Sequence, residues 1–267
     1  PLTAPSRKMQ NSSRHEQLGA GIRSLVLRVL AVLSGLISSI VLANSLGPGE
    51  YGIYAFAFAI ISILALPVQM GLPTLIVRET ASAVAMADWP LLRGIWDWAS
   101  KLTLTASVAV VGVTIVALAL LGDVIPADRR LAIAWGLPLI PLLAFAAVRA
   151  AALRGLRFVF SGPFPDQVLR PLLLAAFVTF IALVLDQAVS GKAALGLHAL
   201  AAAIAFALGS LILFRARPEN MRLERSKRLE TDKWKRSILP LSLIMGLQIV
   251  NQNTDLVMLG IFRENAE

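Results

Sequence analysis

The chain contains no cysteine. Disulfide staples and thiolate metal sites are therefore excluded. Histidine is nearly absent as well. His15 and His198 stand far apart in the sequence, which argues against a histidine-based metal site. Charge is scarce: Asp, Glu, Lys and Arg make up 15% of the 267 residues, where a soluble domain carries roughly 25%. Apolar residues fill the space, at 57%, and the mean hydropathy is +0.74. This composition excludes an aqueous globular domain and describes a polytopic membrane protein. Residues 1–20 are polar and basic and lack the short apolar core of a secretory signal. The chain opens on Pro1 rather than Met, as a processed or partial chain would.

A helix needs about 20 apolar residues to cross a bilayer core. In lipid its backbone hydrogen bonds must close within the segment, so runs of this length read as helices. Seven runs qualify: Ile22–Leu46, Gly52–Val77, Leu102–Gly122, Leu131–Leu153, Val168–Leu185, Ala193–Phe214 and Ile238–Phe262. The expected fold is all-α, a polytopic transmembrane helix bundle.

The formal net charge is +9 and the pI about 10.8. Because the basic residues lie between apolar runs, the bilayer and not a nucleic acid is the expected partner. With the N-terminus in the cytoplasm, eighteen Lys and Arg fall on the inner side and four on the outer. The positive-inside rule selects that orientation. Nine of the eighteen lie in 215–237, a segment of net charge +5 once Glu219, Glu224, Glu230 and Asp232 are subtracted. The expected organisation is a cytoplasmic tail over 1–21, a lobe of six helices over 22–214, a basic cytoplasmic linker over 215–237, and a seventh helix over 238–267. The linker reads either as a topological determinant or as a binder of anionic headgroups.

A short turn, Leu46-Gly47-Pro48-Gly49-Glu50-Tyr51-Gly52-Ile53-Tyr54, separates the first two runs. Gly and Pro supply the permissive and restricted positions of a tight hairpin. The string resembles the loop between the first two helices of polysaccharide flippases, in the multidrug/oligosaccharidyl-lipid/polysaccharide exporter superfamily. Three further stretches resemble the same family: Gly71-Leu72 through Arg78-Glu79, Leu153-Arg154-Gly155-Leu156 followed by Leu169-Arg170-Pro171-Leu172, and Leu239-Pro240-Leu241 with Gln248, Asp255 and Met258-Leu259-Gly260. Their order and spacing carry more weight than any one of them. The resemblance implies the six-helix N-lobe of a MATE-like fold plus the seventh helix, with the rest of a second lobe expected beyond Glu267.

It also implies a cationic cavity holding the pyrophosphate of a polyprenyl-linked oligosaccharide. Arg28, Arg149 and Arg170 are the arginines inside the apolar runs, and they become the candidate substrate-binding residues. A planar guanidinium pairs with phosphate oxygens and stays charged. The competing reading is that all three snorkel to inner headgroups. Asp255, one helical turn from Asn251, reads as an ion-coupling site or as a contact between lobes, since a buried carboxylate needs a partner. Proline positions Pro67, Pro73, Pro138, Pro141, Pro171 and Pro240 mark kinks that serve either as hinges or as static bends. Pro171 is expected to bias Arg170 away from helical geometry. Leu102–Gly122 and Ala193–Phe214 read as scaffold, with Gly112 and Gly209 allowing close helix packing.

The leading expectation is a flippase moving undecaprenyl-pyrophosphate-linked oligosaccharide across a bacterial inner membrane, in company with polysaccharide polymerase machinery. It requires no cofactor, no metal and no covalent catalysis. A cation-coupled drug exporter of the same superfamily would need acidic residues deep in the first lobe, and its runs hold essentially none. A membrane glycosyltransferase or ligase acting on the lipid carrier would need catalytic carboxylates or a large outer loop, and the outer loops are short. A purely structural membrane subunit is a further class that the sequence leaves open.

Overall fold

The computed structural model describes residues 7–69, 71–121, 125–184, 188–223 and 226–243. The described residues form helices and turns without a strand. In chain order they are α1 (Arg7–Gln69), α2 (Leu72–Ala85), α3 (Trp89–Leu120), α4 (Ala127–Gly136), α5 (Leu139–Gly155), a π-helical turn (Pro165–Leu169), α6 (Arg170–Val184), α7 (Gly191–Ala216), α8 (Glu219–Leu223) and α9 (231–243). The chain is an all-α polytopic bundle, with five helical stretches long and apolar enough to cross a membrane.

The first of these stretches, Gly21–Gln69, runs to 49 residues. At about 1.5 Å per residue it is more than twice the thickness of a bilayer core. It folds back on itself at Gly47, whose φ of 73° and ψ of 170° lie in a region essentially reserved for glycine. Pro48 enforces the break. It disfavours helical geometry in the residue before it and is well placed to open the helix that follows. The two arms meet again along their length. Ser34 of the first arm donates to the Gln167 carbonyl, while Ser62 and Gln69 of the second arm border the same π turn. Six crossings result. The second begins directly after Gly47, several residues before the Gly52 expected from hydropathy.

Other boundaries shift for physical reasons. The second run does not continue to Val77. It stops at Gln69, and α2 starts afresh after Gly71, whose φ is 66°. A Cβ on Gly71 would also sit 2.9 Å from the Ile238 carbonyl oxygen. The fourth run is two helices. Pro138 cannot donate a backbone bond and crowds the preceding turn, so Leu137 closes a tighter bond to Ala134, and the helical ladder is interrupted there although the backbone keeps helical angles. The third run starts at Trp89, well before Leu102.

Along α3 and α7 small residues turn inward and large aliphatic ones outward. On α3 beyond Ile95 the buried positions are small or hydroxyl-bearing, Ala99, Thr103, Ser107 and Thr114, while Leu104, Val108, Val113 and Val116 face outward. On α7 the buried stripe is Gly191, Ala194, His198, Ala201, Ala205 and Gly209, with Leu200, Leu208 and Leu211 outside. Thr103 and Thr114 turn their hydroxyls back onto the carbonyls four residues earlier, which lets them face a helix neighbour without an orphaned donor. Small residues inside and bulky aliphatic ones outside suit lipid, where close packing and not expulsion of water drives helix association.

Segment 215–237 is not a loose connection. α8 and α9 fold against the ends of α2 and α3, with Trp234 fully buried beside Trp98 at 5.2 Å between ring centroids. Gly94 gives room for the Arg228 carbonyl. Lys227 pairs with Asp97, Arg228 with Asp88, and Lys233 with Glu79 at 3.1, 2.8 and 3.1 Å. The last pairing gives the buried Glu79 a cation.

Candidate functional site

The site begins with the π turn. The Arg170 amide reaches back to the Pro165 carbonyl, one residue further than an α-helix would. Pro171 has no amide to donate. Two carbonyls are thereby released, those of Asp166 and Gln167, and side chains take them. Arg170 Nε donates to the Asp166 carbonyl at 3.1 Å, and Ser34 Oγ donates to the Gln167 carbonyl at 3.1 Å. Arg170 itself keeps helical angles, φ −56° and ψ −51°. The expected bias from Pro171 is absent because the wider turn relieves the clash of its ring with the preceding backbone.

The π turn points the Asp166 carboxylate at Arg149 on α5, and the two form an ion pair. Arg149 is 4% exposed. Its Nη1 also donates to the Phe206 and Ala205 carbonyls at 2.7 and 3.3 Å, and its guanidinium lies 5.3 Å from the Phe206 ring centroid. Gly209 makes this seat possible, because a Cβ there would collide with the guanidinium. Gly209 is where α7 admits the Arg149 side chain of α5. At Gly112 a Cβ would meet nothing within 4 Å, so the packing role expected there is absent.

Arg170 stands between two cavities. One, of about 170 Å³, is walled by Ser38, Ser39, Tyr51, Tyr54 and His198. The other, of about 310 Å³, is walled by Ser62, Gln69, Asp166, Gln167 and Arg154. Arg170 Nη1 is buried and has no hydrogen-bond partner. Tyr54 Oη and His198 Nδ1 share a hydrogen bond at 2.9 Å, the hydroxyl donating when that nitrogen is unprotonated, and Phe58 stacks on the imidazole at 4.7 Å. The tyrosines of the turn motif thus belong to the start of the second arm and face the interior beside Arg170. The same end is tied to α7 by Glu50, which accepts from the Gly191 amide at 2.6 Å. A carboxylate is well placed at a helix N-terminus.

Of the residues singled out by sequence, the fold brings Arg149 and Arg170 together through Asp166. Arg28 is exposed on the first arm and takes no part in the cluster. Arg170 is not at the N-terminal end of the first arm. It lies level with Ser38, Ser39 and Leu42, on the hairpin side of the first arm's midpoint. Asn251 and Asp255 lie outside the described residues. Asp166 was missed, and Tyr54, His198 and Gly209 were given no part in the site. Asp166 was hidden by Pro163 and Pro165, which made its segment read as a loop; its i, i+4 spacing from Arg170 was the available signal. The expectation that the first six crossings hold essentially no internal carboxylate is corrected by Asp166, which lies within the helical stretch Pro165–Leu183. Ala193–Phe214 is likewise more than scaffold, since it supplies His198 and the seat for Arg149.

Chemically the cluster is one arginine–carboxylate pair, Arg149–Asp166, with a second guanidinium, Arg170, held on the Asp166 backbone carbonyl, beside water-sized space lined by hydroxyls, amides and an imidazole. It can hold an anion and exchange hydrogen bonds with polyol or phosphate oxygens. Comparison with family models, with curated proteins and with solved structures finds no match for this chain.

Proposed function

We propose that this chain forms the N-terminal half of a flippase for lipid-linked oligosaccharide. It moves a polyprenyl-pyrophosphate-borne glycan from the cytoplasmic to the outer leaflet of a bacterial inner membrane. The observation that carries this reading is the excess of buried positive charge at Arg149–Asp166–Arg170, with an Arg170 nitrogen left unpartnered between two cavities. Ionisable groups inside a membrane bundle mark substrate or ion pathways, and a guanidinium fork suits phosphate. The distribution of Lys and Arg supports a cytoplasmic N-terminus, and the resemblance of the Leu46–Tyr54 turn supports the family.

The test is reconstitution into vesicles with a fluorescent polyprenyl-pyrophosphate oligosaccharide, followed by the fraction that an external glycosidase can reach. Wild type should equilibrate the leaflets and Arg170→Ala should not. Equal rates for Arg170→Ala and wild type would remove the cationic cavity from the mechanism.

The buried Asp166 favours a second reading, a cation-coupled exporter of the same superfamily, which needs such a carboxylate. That reading is separated by a cation gradient: a drug-like cation should then accumulate, and the glycolipid should stay in place.

A further inference from the structure

The basic end of the bundle holds a second cavity, separate from the Arg170 chambers. It is about 470 Å³ in volume and lies between α3, the end of α7 and the docked linker. Arg93, Arg217 and Lys227 line it with one carboxylate, Asp97. That carboxylate is already engaged by Lys101 and Lys227, each at 3.1 Å. The walls therefore carry more positive than negative charge.

A mostly apolar annex opens from it. A neighbouring pocket of about 170 Å³ shares Trp96, Ser100 and Arg217 with the first, and its further walls include Ile76, Phe145, Val148 and Leu213, with Arg149 at its far side, where the guanidinium is held by Asp166 and by the Ala205 and Phe206 carbonyls. Arg217 stands at the junction with its guanidinium 5.8 Å from the Trp96 ring centroid and 5.6 Å from that of Phe214. A charged chamber joined to a mostly apolar one fits an amphiphile better than a free ion.

The position agrees. Trp89, Trp96, Trp98 and Trp234 all belong to this end, around the docked linker, and tryptophan concentrates at headgroup level. We infer that this double cavity is a binding site for an anionic phospholipid, with the phosphate held by Arg93, Arg217 and Lys227 and an acyl segment in the Trp96 annex. The lipid fastens the linker to α3 and α7. This inference is independent of what the chain transports.

The test uses the full chain in neutral detergent, with dioctanoyl phosphatidylglycerol, dioctanoyl phosphatidylcholine or inorganic phosphate added. Apparent melting temperature and lipid retention in native mass spectrometry are read. Phosphatidylglycerol should stabilise and be retained, phosphatidylcholine much less. The R93Q/R217Q double variant should weaken phosphatidylglycerol affinity at least tenfold. Ser100→Trp, which fills the junction and keeps every charge, should do the same and covers the case in which the double variant fails to fold. Arg228→Gln removes a linker cation that pairs with Asp88 outside the cavity, and it should leave affinity within twofold. Three results would overturn the inference: no preference for phosphatidylglycerol over phosphatidylcholine, equal stabilisation by inorganic phosphate, or a loss in Arg228→Gln as large as in R93Q/R217Q.

Discussion

Arg149 and Arg170 should respond very unequally to neutralisation. Arg149 spends its charge on Asp166 and on the carbonyls of Ala205 and Phe206. Arg170 makes one hydrogen bond to a carbonyl and leaves Nη1 without a partner. Removing one member of a buried ion pair costs about 3–5 kcal/mol, because the remaining charge is stranded. Asp166→Asn strands the Arg149 guanidinium and Arg149→Gln strands the carboxylate, so each should lose about that amount. With a factor of ten for about every 1.4 kcal/mol, the unfolding equilibrium moves by roughly two to three and a half orders of magnitude. Arg170→Gln removes the uncompensated charge. Its loss is bounded by one hydrogen bond, about 0.5–1.5 kcal/mol, and relief of like-charge repulsion with Arg149 offsets part of it. The measurement is reversible unfolding in mixed micelles, with the double variant Arg149→Met/Asp166→Leu as the isosteric control, expected to recover most of the single-variant loss. If Asp166→Asn lies within about 1 kcal/mol of wild type, or if Arg170→Gln falls as far as Arg149→Gln, the pairing described here does not hold the bundle together.

Gly209→Ala places a methyl group against the Arg149 guanidinium and should cost about 1–3 kcal/mol. Gly112→Ala, with nothing within 4 Å of the new carbon, should be neutral in the same unfolding assay. Trp234→Ala empties a fully buried aromatic site and should weaken linker docking by about 3–5 kcal/mol, read as faster tryptic cleavage within 225–236. Docking should also depend on pH in a defined way. The hydrogen bond from Lys233, with help from Arg228, holds the Glu230 carboxyl below its ordinary value. Hydrogen bonds to Glu230 first and then Glu79 hold Lys233 above its own. The carboxylate's contribution is present above the ordinary Glu range and lost as pH falls through the lowered value. The lysine's is present below the ordinary Lys range and lost as pH rises through the raised one. Tryptic cleavage should therefore be slowest and flat from about pH 5 to about pH 10, once corrected for the protease's own profile. Both groups are largely exposed, so the effect should be small; a marked change of protection between pH 6 and pH 9 would contradict it.

Hydropathy located the crossings because length and apolar content decide what can span a bilayer. It could not place their ends. Gln69, Pro138 and Pro165 are boundaries set by backbone chemistry inside apolar runs, and a composition window averages over them. The glycine and proline at 47–48 were legible as a hairpin, since only a few residue types tolerate that geometry. Arg149 and Arg170 were legible as charges in the wrong solvent. The carboxylate that pairs with Arg149 was not, because a proline-flanked aspartate reads as loop until the π turn is known to carry it into the bundle. Gly209 was legible as a site of close approach, and its neighbour, the Arg149 guanidinium, was not. The docking of 215–237 was hidden by its high charge, which suits a solvated linker equally well. What betrayed it was Trp234 among those charges, together with acidic residues on α2 and α3 waiting for cations.

Backbone and charge point independently to one place. Non-helical backbone at membrane depth is tolerated only where protein buries it or where it lines a cavity. The described crossings break at Gly47, at Pro138 and at the π turn. The first break aims Tyr51 and Tyr54 at Arg170, and the third releases the carbonyls that Arg170 and Ser34 occupy. The helix that begins after the second delivers Arg149 to Asp166. A bundle built only for packing has no use for these irregularities, and each is costly to retain. Their convergence around a charge cluster of net positive sign is the strongest reason to look for the work of this bundle at Arg170, and not at the exposed Arg28 of the first arm.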